Sequence, residues 1–134
     1  MTTPEDIIDT LSFFDSWEDR YKYMIDLGKS LPPMDDALKT EERLVPGCQS
    51  LVWIEPTFEN DKFSFQVDSD ALIVRGLLAI VMAAYNNKSS QQIIEFDIQN
   101  YFSQLDLIKH LSPTRGNGLQ AMVEKIKQLA TSYS

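Results

Sequence analysis

The sequence predicts an α+β domain in which a small antiparallel three-stranded sheet packs against several helices. Three observations predict it. Apolar residues recur at helical spacing before Leu31 and again near the C-terminus, as at Leu119, Met122, Val123, Ile126 and Leu129. Between Arg43 and Val67 the period shortens to two, with β-branched and aromatic residues bounded by turn formers. The segment Ala71 to Tyr85 is apolar at almost every position, as a helix buried on most of its sides would be. Helices, strands, then helices again is a segregated layout.

The elements follow in order. Thr3 reads as an N-cap, with Pro4 at the first helical position and acids in the first turn; Ile7, Ile8, Leu11 and Phe14 mark one face. A second helix starts at Asp15 or Ser16, carries Trp17, Tyr21, Met24 and Ile25 on one side, and has Gly28 placed to help end it. Leu31-Pro32-Pro33-Met34 breaks the helix and crosses as a loop. Arg43 to Val45 is expected as a short strand closed by Pro46-Gly47. Leu51 to Phe58 is a second strand whose Pro56 suits an edge or a bulge. After a turn at Glu59-Asn60-Asp61, Phe63, Phe65 and Val67 alternate with Ser64, Gln66 and Asp68, so one face is buried. Asp68-Ser69-Asp70 offers acceptors and negative charge to the start of the apolar helix, which Asn86-Asn87-Lys88 ends. Shorter helical pieces are expected near Gln91 to Phe96 and Ile98 to Leu105, and the last helix begins between Pro113 and Asn117.

With 134 residues, 43% of them hydrophobic, the chain is one domain, residues 1–134, able to bury a core without staples. No repeat or linker divides it. A formal net charge of −8 repels phosphate backbones and anionic lipid, so neither nucleic acid nor a membrane is an expected partner. The N-terminus lacks the basic start and apolar core of a signal peptide, and Gly76 to Tyr85, the longest apolar stretch, is too short to cross a bilayer. One Cys cannot form an internal disulfide, which fits a reducing, cytoplasmic setting.

That single Cys48 is the leading candidate for chemistry. A lone Cys is ordinarily a small buried hydrophobe. Here Pro46-Gly47 before it and Gln49-Ser50 after it describe a turn between strands, which brings the thiol to a surface with little bulk beside it. At an unperturbed pKa of about 8.5 only a small fraction is thiolate at neutral pH, so reactivity needs a cation or hydrogen-bond donors. Arg115, ahead of the last amphipathic face, would oppose the helix dipole, and it could instead lend positive charge to a thiolate. His110 is the only His; it is more often a capping or packing residue than a base, and as a base it would suggest a Cys–His hydrolase. One Cys with one His cannot furnish a structural zinc site or a cluster scaffold, so no metal is expected.

Three segments carry a resemblance. Val45-Pro46-Gly47-Cys48-Gln49-Ser50-Leu51-Val52-Trp53, then Asp68-Ser69-Asp70-Ala71-Leu72-Ile73-Val74-Arg75-Gly76-Leu77, then His110-Leu111-Ser112-Pro113-Thr114-Arg115-Gly116-Asn117-Gly118-Leu119 resemble the SufE family, which includes the similar CsdE proteins. Any one of these would be weak; together, in this order over essentially the whole chain, they are specific. The resemblance implies a fold related to that of the iron–sulfur scaffold IscU. It also implies that Cys48 accepts persulfide sulfur from a cysteine desulfurase, SufS-like or CsdA-like, and passes it towards iron–sulfur cluster assembly. Gly47, Gln49, Asp70 and Arg115 match family positions around the active loop. The implied protein stimulates its partner, is not a stand-alone enzyme and has no cofactor of its own, the pyridoxal phosphate belonging to the desulfurase. A non-catalytic desulfurase-binding regulator and a Cys48–His110 hydrolase are the rival readings.

Overall fold

The computed structural model describes residues 2–132. Helix α1 (Pro4–Ser12) opens with a capping box in which Thr3 Oγ1 accepts from Asp6 N at 3.1 Å and Asp6 Oδ2 accepts from Thr3 N at 3.0 Å. Helix α2 (Trp17–Lys29) is capped by Ser16, whose hydroxyl accepts from Asp19 N at 3.2 Å. Two 3₁₀ turns, Asp36–Leu38 and Glu41–Arg43, lead to the hairpin of β1 (Val52–Glu59) and β2 (Lys62–Ser69). Helix α3 (Leu72–Tyr85) follows, then α4 (Ser90–Glu95), α5 (Ile98–Gln104) and the long α6 (Pro113–Ser132).

The α+β layout holds, but among the described residues the sheet has two strands and not three. Arg43 ends a 3₁₀ turn, and the expected first strand shrinks to one antiparallel bridge, Leu44 to Trp53, with Val45 N donating to Val52 O at 2.9 Å. Pro46 follows at once, supplies no N–H, and Gly47 turns the chain away at φ +91°. Asn60 and Asp61, both at positive φ (54° and 63°), make the tight turn that matches strand twist. Because the Val52 carbonyl faces outward to Val45, two-residue periodicity turns the backbone of Pro56 to the same outer edge. Its missing N–H therefore costs no ladder bond.

Helix α3 is the centre of the molecule. Leu77, Leu78, Ile80, Val81 and Tyr85 are at most 1% exposed. β2, α2 and α6 pack around it. Two expectations about its neighbourhood change. Gly28 does not end α2, which runs one residue further to a Ser30 C-cap; it is the point where α2 meets α3. A Cβ on Gly28 would lie 2.6 Å from the backbone nitrogen of Gly76, and one on Gly76 would strike the carbonyl of Met24. Asp68 does not cap α3 either. It is 5% exposed, with Lys39 Nζ 3.3 Å from Oδ2 and Arg75 Nε 3.5 Å from Oδ1. The N-cap is Ala71, which brings no side-chain cap; Ser69 Oγ accepts from its N–H at 3.2 Å.

Replacing Gly28 by Ala should therefore destabilise the protein even though Ala favours helix. Overpacking against backbone should cost about 1–3 kcal/mol, which exceeds the gain of about 1 kcal/mol in helix propensity. Urea unfolding should show a lower midpoint at unchanged slope; a midpoint equal to or above wild type would refute the close crossing.

Candidate functional site: the Cys48 pocket

The loop between Val45 and Leu51 is clamped at both ends. Upstream lies the Val45–Val52 bond; downstream, Leu51 N donates to Asp70 Oδ1 at 3.1 Å while Asp70 N donates to Leu51 O at 3.3 Å. The exposed Asp70 thus continues the hairpin ladder by one side chain. Between the clamps Gly47 uses its positive φ to lay the chain against α6, where a Cβ on it would come 3.4 Å from that of Ala121.

This geometry puts Cys48 on the wall of a pocket of about 350 Å³. The floor is apolar: Ile73, Val74 and Leu77 from α3, with Met122 from α6. The rim is polar and comes from the loop residues Gln49 and Ser50 and from Ser112, Thr114 and Arg115 at the start of α6. The thiol is half-buried and donates to the carbonyl oxygen of Gly118 at 3.6 Å. Gly118 leaves room for it, since a Cβ there would itself sit 3.6 Å from Sγ. Burial pushes the Cys48 thiol up from its ordinary value, because the low-dielectric pocket penalises the thiolate.

The expected site residues meet the structure unevenly. Cys48, Gln49 and Arg115 line one pocket, Gly47 shapes the loop and Asp70 holds its downstream stem. The Arg115 side chain is exposed, and its backbone N–H is held by Ser112 Oγ at 3.3 Å. His110 lies elsewhere. It does not line the pocket: its ring stacks on Trp17 at 3.9 Å, Nδ1 faces the carbonyl of Asp106 at 3.1 Å, and its own carbonyl accepts from Tyr21 Oη at 2.8 Å. Those contacts are the packing role of a lone His. Among the described residues no group of three or more His, Cys, Asp or Glu is arranged to hold a metal ion. No helix among them is long and apolar enough to cross a membrane.

The apolar floor and the Ser112 and Thr114 rim were not foreseen as parts of a site. Their signal was present but ambiguous, since an apolar run such as Ala71 to Tyr85 does not say which of its turns lacks a full cover.

A family model described as the Fe-S metabolism associated domain, SufE, matches residues 5–130. This chain belongs to the SufE family. An uncharacterized SufE-like protein of Rhizobium meliloti (strain 1021) is 44% identical over 134 residues, covering 97% of this chain and 96% of the relative. One from Rhizobium etli is 45% identical over 136 residues, covering 97% and 90%. The fold also matches the solution structure of a hypothetical protein from Thermus thermophilus, with a TM-score of 0.78 at 16% identity over 98% of this chain and 97% of that one. The SufE family is associated with iron–sulfur metabolism, and every lining residue of the Cys48 pocket except Met122 comes from the three segments that carried the resemblance.

The raised thiol has a measurable consequence. Alkylation of Cys48 by iodoacetamide should follow a pH profile with its midpoint above that of a free cysteine, and denaturant should return it to the free value. A native midpoint at or below the free thiol would mean that a cation reaches the sulfur and that burial does not govern it.

Proposed function

We propose that Cys48 is a sulfur acceptor: it takes sulfane sulfur from the persulfide of a cysteine desulfurase and carries it towards iron–sulfur cluster assembly. The observation that carries this reading is a single thiol, set in a clamped loop and half-buried over an apolar pocket, in a chain of the SufE family. The transfer needs only that thiol. The Cys48 thiolate attacks the outer sulfur of the donor persulfide; the donor S–S bond breaks and its electron pair leaves on the donor cysteine. A new S–S bond forms at Cys48 with no net oxidation or reduction. The pocket has room for the added sulfur, above an apolar floor of Ile73, Val74, Leu77 and Met122.

The same burial that protects a persulfide suppresses the thiolate that must form it. In this reading the isolated protein rests with a poorly ionised thiol, and docking of the desulfurase draws the loop outward to a position where the thiolate forms. Arg115, on the pocket rim, supplies positive charge to the thiolate and then to the persulfide anion. The hydrolase alternative lacks support, because His110 is engaged with Trp17 and Asp106.

The test mixes the protein with a cysteine desulfurase and L-cysteine and measures intact mass. Wild type should gain sulfur at Cys48, and Cys48→Ser should gain none while still binding the enzyme. No gain on wild type with any SufS-like or CsdA-like desulfurase would refute the acceptor reading. Arg115→Ala should slow transfer by roughly tenfold, the size of one lost charge-assisted interaction, with docking affinity little changed. Equal loss in docking and transfer would make Arg115 a contact residue only.

A further inference from the structure

The two stems of the acceptor loop are held by different means. Downstream, Leu51 and Asp70 exchange two bonds in continuation of the ladder. Upstream, where a strand was expected, the backbone offers only the Leu44 bridge and the Val45–Val52 bond before Pro46 removes the next donor. Side chains stand in for the missing strand. Arg43, five residues before Cys48, pairs through Nε with Oε2 of Glu55 on β1 and donates from Nη1 to Thr40 Oγ1 at 3.0 Å. The Arg43 and Glu55 side chains are 25% and 30% exposed, so the pair is less screened than one on the open surface. Glu55 stands opposite the neutral Gln66 on β2.

We propose that Arg43 and Glu55 are positioning residues, an ionic latch that holds the upstream stem on β1 and so keeps Cys48 seated in its pocket. Its meaning for sulfur transfer rests on the acceptor reading; its existence does not. With the latch closed, the loop spans only the short distance between two fixed stems. With it open, slack enters from Thr40 onward, and the Cys48–Gly118 bond at 3.6 Å is a weak tether against that motion. The reactive population of the thiol then follows the fraction of molecules with the latch open.

Iodoacetamide, which is uncharged, reads that fraction through the alkylation rate of Cys48 at fixed pH under native conditions, with circular dichroism and melting curves run beside it. Glu55→Gln and Arg43→Gln change the net charge in opposite senses. A simple field effect on the thiolate would accelerate the first and slow the second. The latch predicts that both accelerate, by roughly two- to fivefold as for an ion pair of modest strength. It also predicts that 1 M salt accelerates wild type more than either variant, because the variants have no pair left to screen. The exchanged pair, Arg43→Glu with Glu55→Arg, should return the rate towards wild type. Thr40→Val, which alters no charge, should give a smaller acceleration and serves where a single charge variant folds poorly. Wild-type rates in both glutamine variants, opposite shifts in the two, or an exchanged pair as fast as the singles would overturn the latch. Because no desulfurase enters this assay, its failure leaves the acceptor reading untouched, and failed sulfur transfer leaves the latch untouched.

Discussion

The structure depends on the burial of α3. A helix that is apolar at nearly every position from Leu72 to Tyr85 cannot stop at one interface; it has to be covered on most sides. α1, α2, β2, α4 and α6 supply that cover. β2 lies along it with Phe63, Phe65 and Val67 facing the core, α6 adds Leu119, Met122, Val123 and Ile126, and α2 comes close enough for Gly28 and Gly76 to touch backbones. The cover is least complete over the first turn of α3, where Ile73 is only partly buried and Leu72 is 58% exposed. The Cys48 pocket occupies that gap. The site is in this sense the unfinished end of the core, closed by a loop where the other turns are closed by helix and sheet.

A loop used as a lid meets a conflict that helices do not. Its backbone groups need partners, while in the acceptor reading its thiol has to be deliverable. The chain resolves this by fixing the stems and leaving the tip lightly held. Asp70 and Val52 take the stem amides of Leu51 and Val45, whereas the tip touches α6 through Gly47 beside Ala121 and through one long sulfur contact to Gly118. With the downstream stem bonded to the ladder and the tip lightly held, the hairpin beneath does not depend on the tip.

Most of this was legible in the sequence wherever one period or one cap decided the outcome. Thr3, Ser16 and the Asn60–Asp61 turn behave as their residue types demand, and the helical faces of α1 and α6 are buried as their spacing says. The misses have two causes. Asp68 sits on the polar side of an alternating strand, yet it is buried, because the segment carrying Lys39 folds back across that side and Arg75 reaches it from α3. Gly28 reads as a helix terminator, although its smallness serves a crossing with a glycine 48 positions away, at Gly76. Arg43 to Val45 has strand composition, but a strand needs a partner over several residues and Pro46 ends the pairing after one bridge. For Asp68 and Gly28 a long-range contact outweighed a local preference, whereas for Arg43 to Val45 the adjacent Pro46 left too little ladder for a strand. The loop setting of Cys48 was legible for the opposite reason: its turn context is local, and so is the signal.

In the acceptor reading, the position of that thiol bears on the kind of partner the site suits. A nucleophile meant for small molecules gains from being ionised and open at rest. Cys48 is the reverse, half-buried and pushed towards its neutral form, with the positive side chain nearest its pocket standing exposed on the rim. A small electrophile in solution offers no binding energy to draw the loop out. A protein does, because docking over a face that includes the exposed Leu51 and Leu72 buries apolar area, against which one long sulfur contact is a weak tether. In that reading the arrangement discriminates by contact area: a small reagent meets a thiol held towards its neutral form, whereas a partner large enough to grip the rim can draw the loop out.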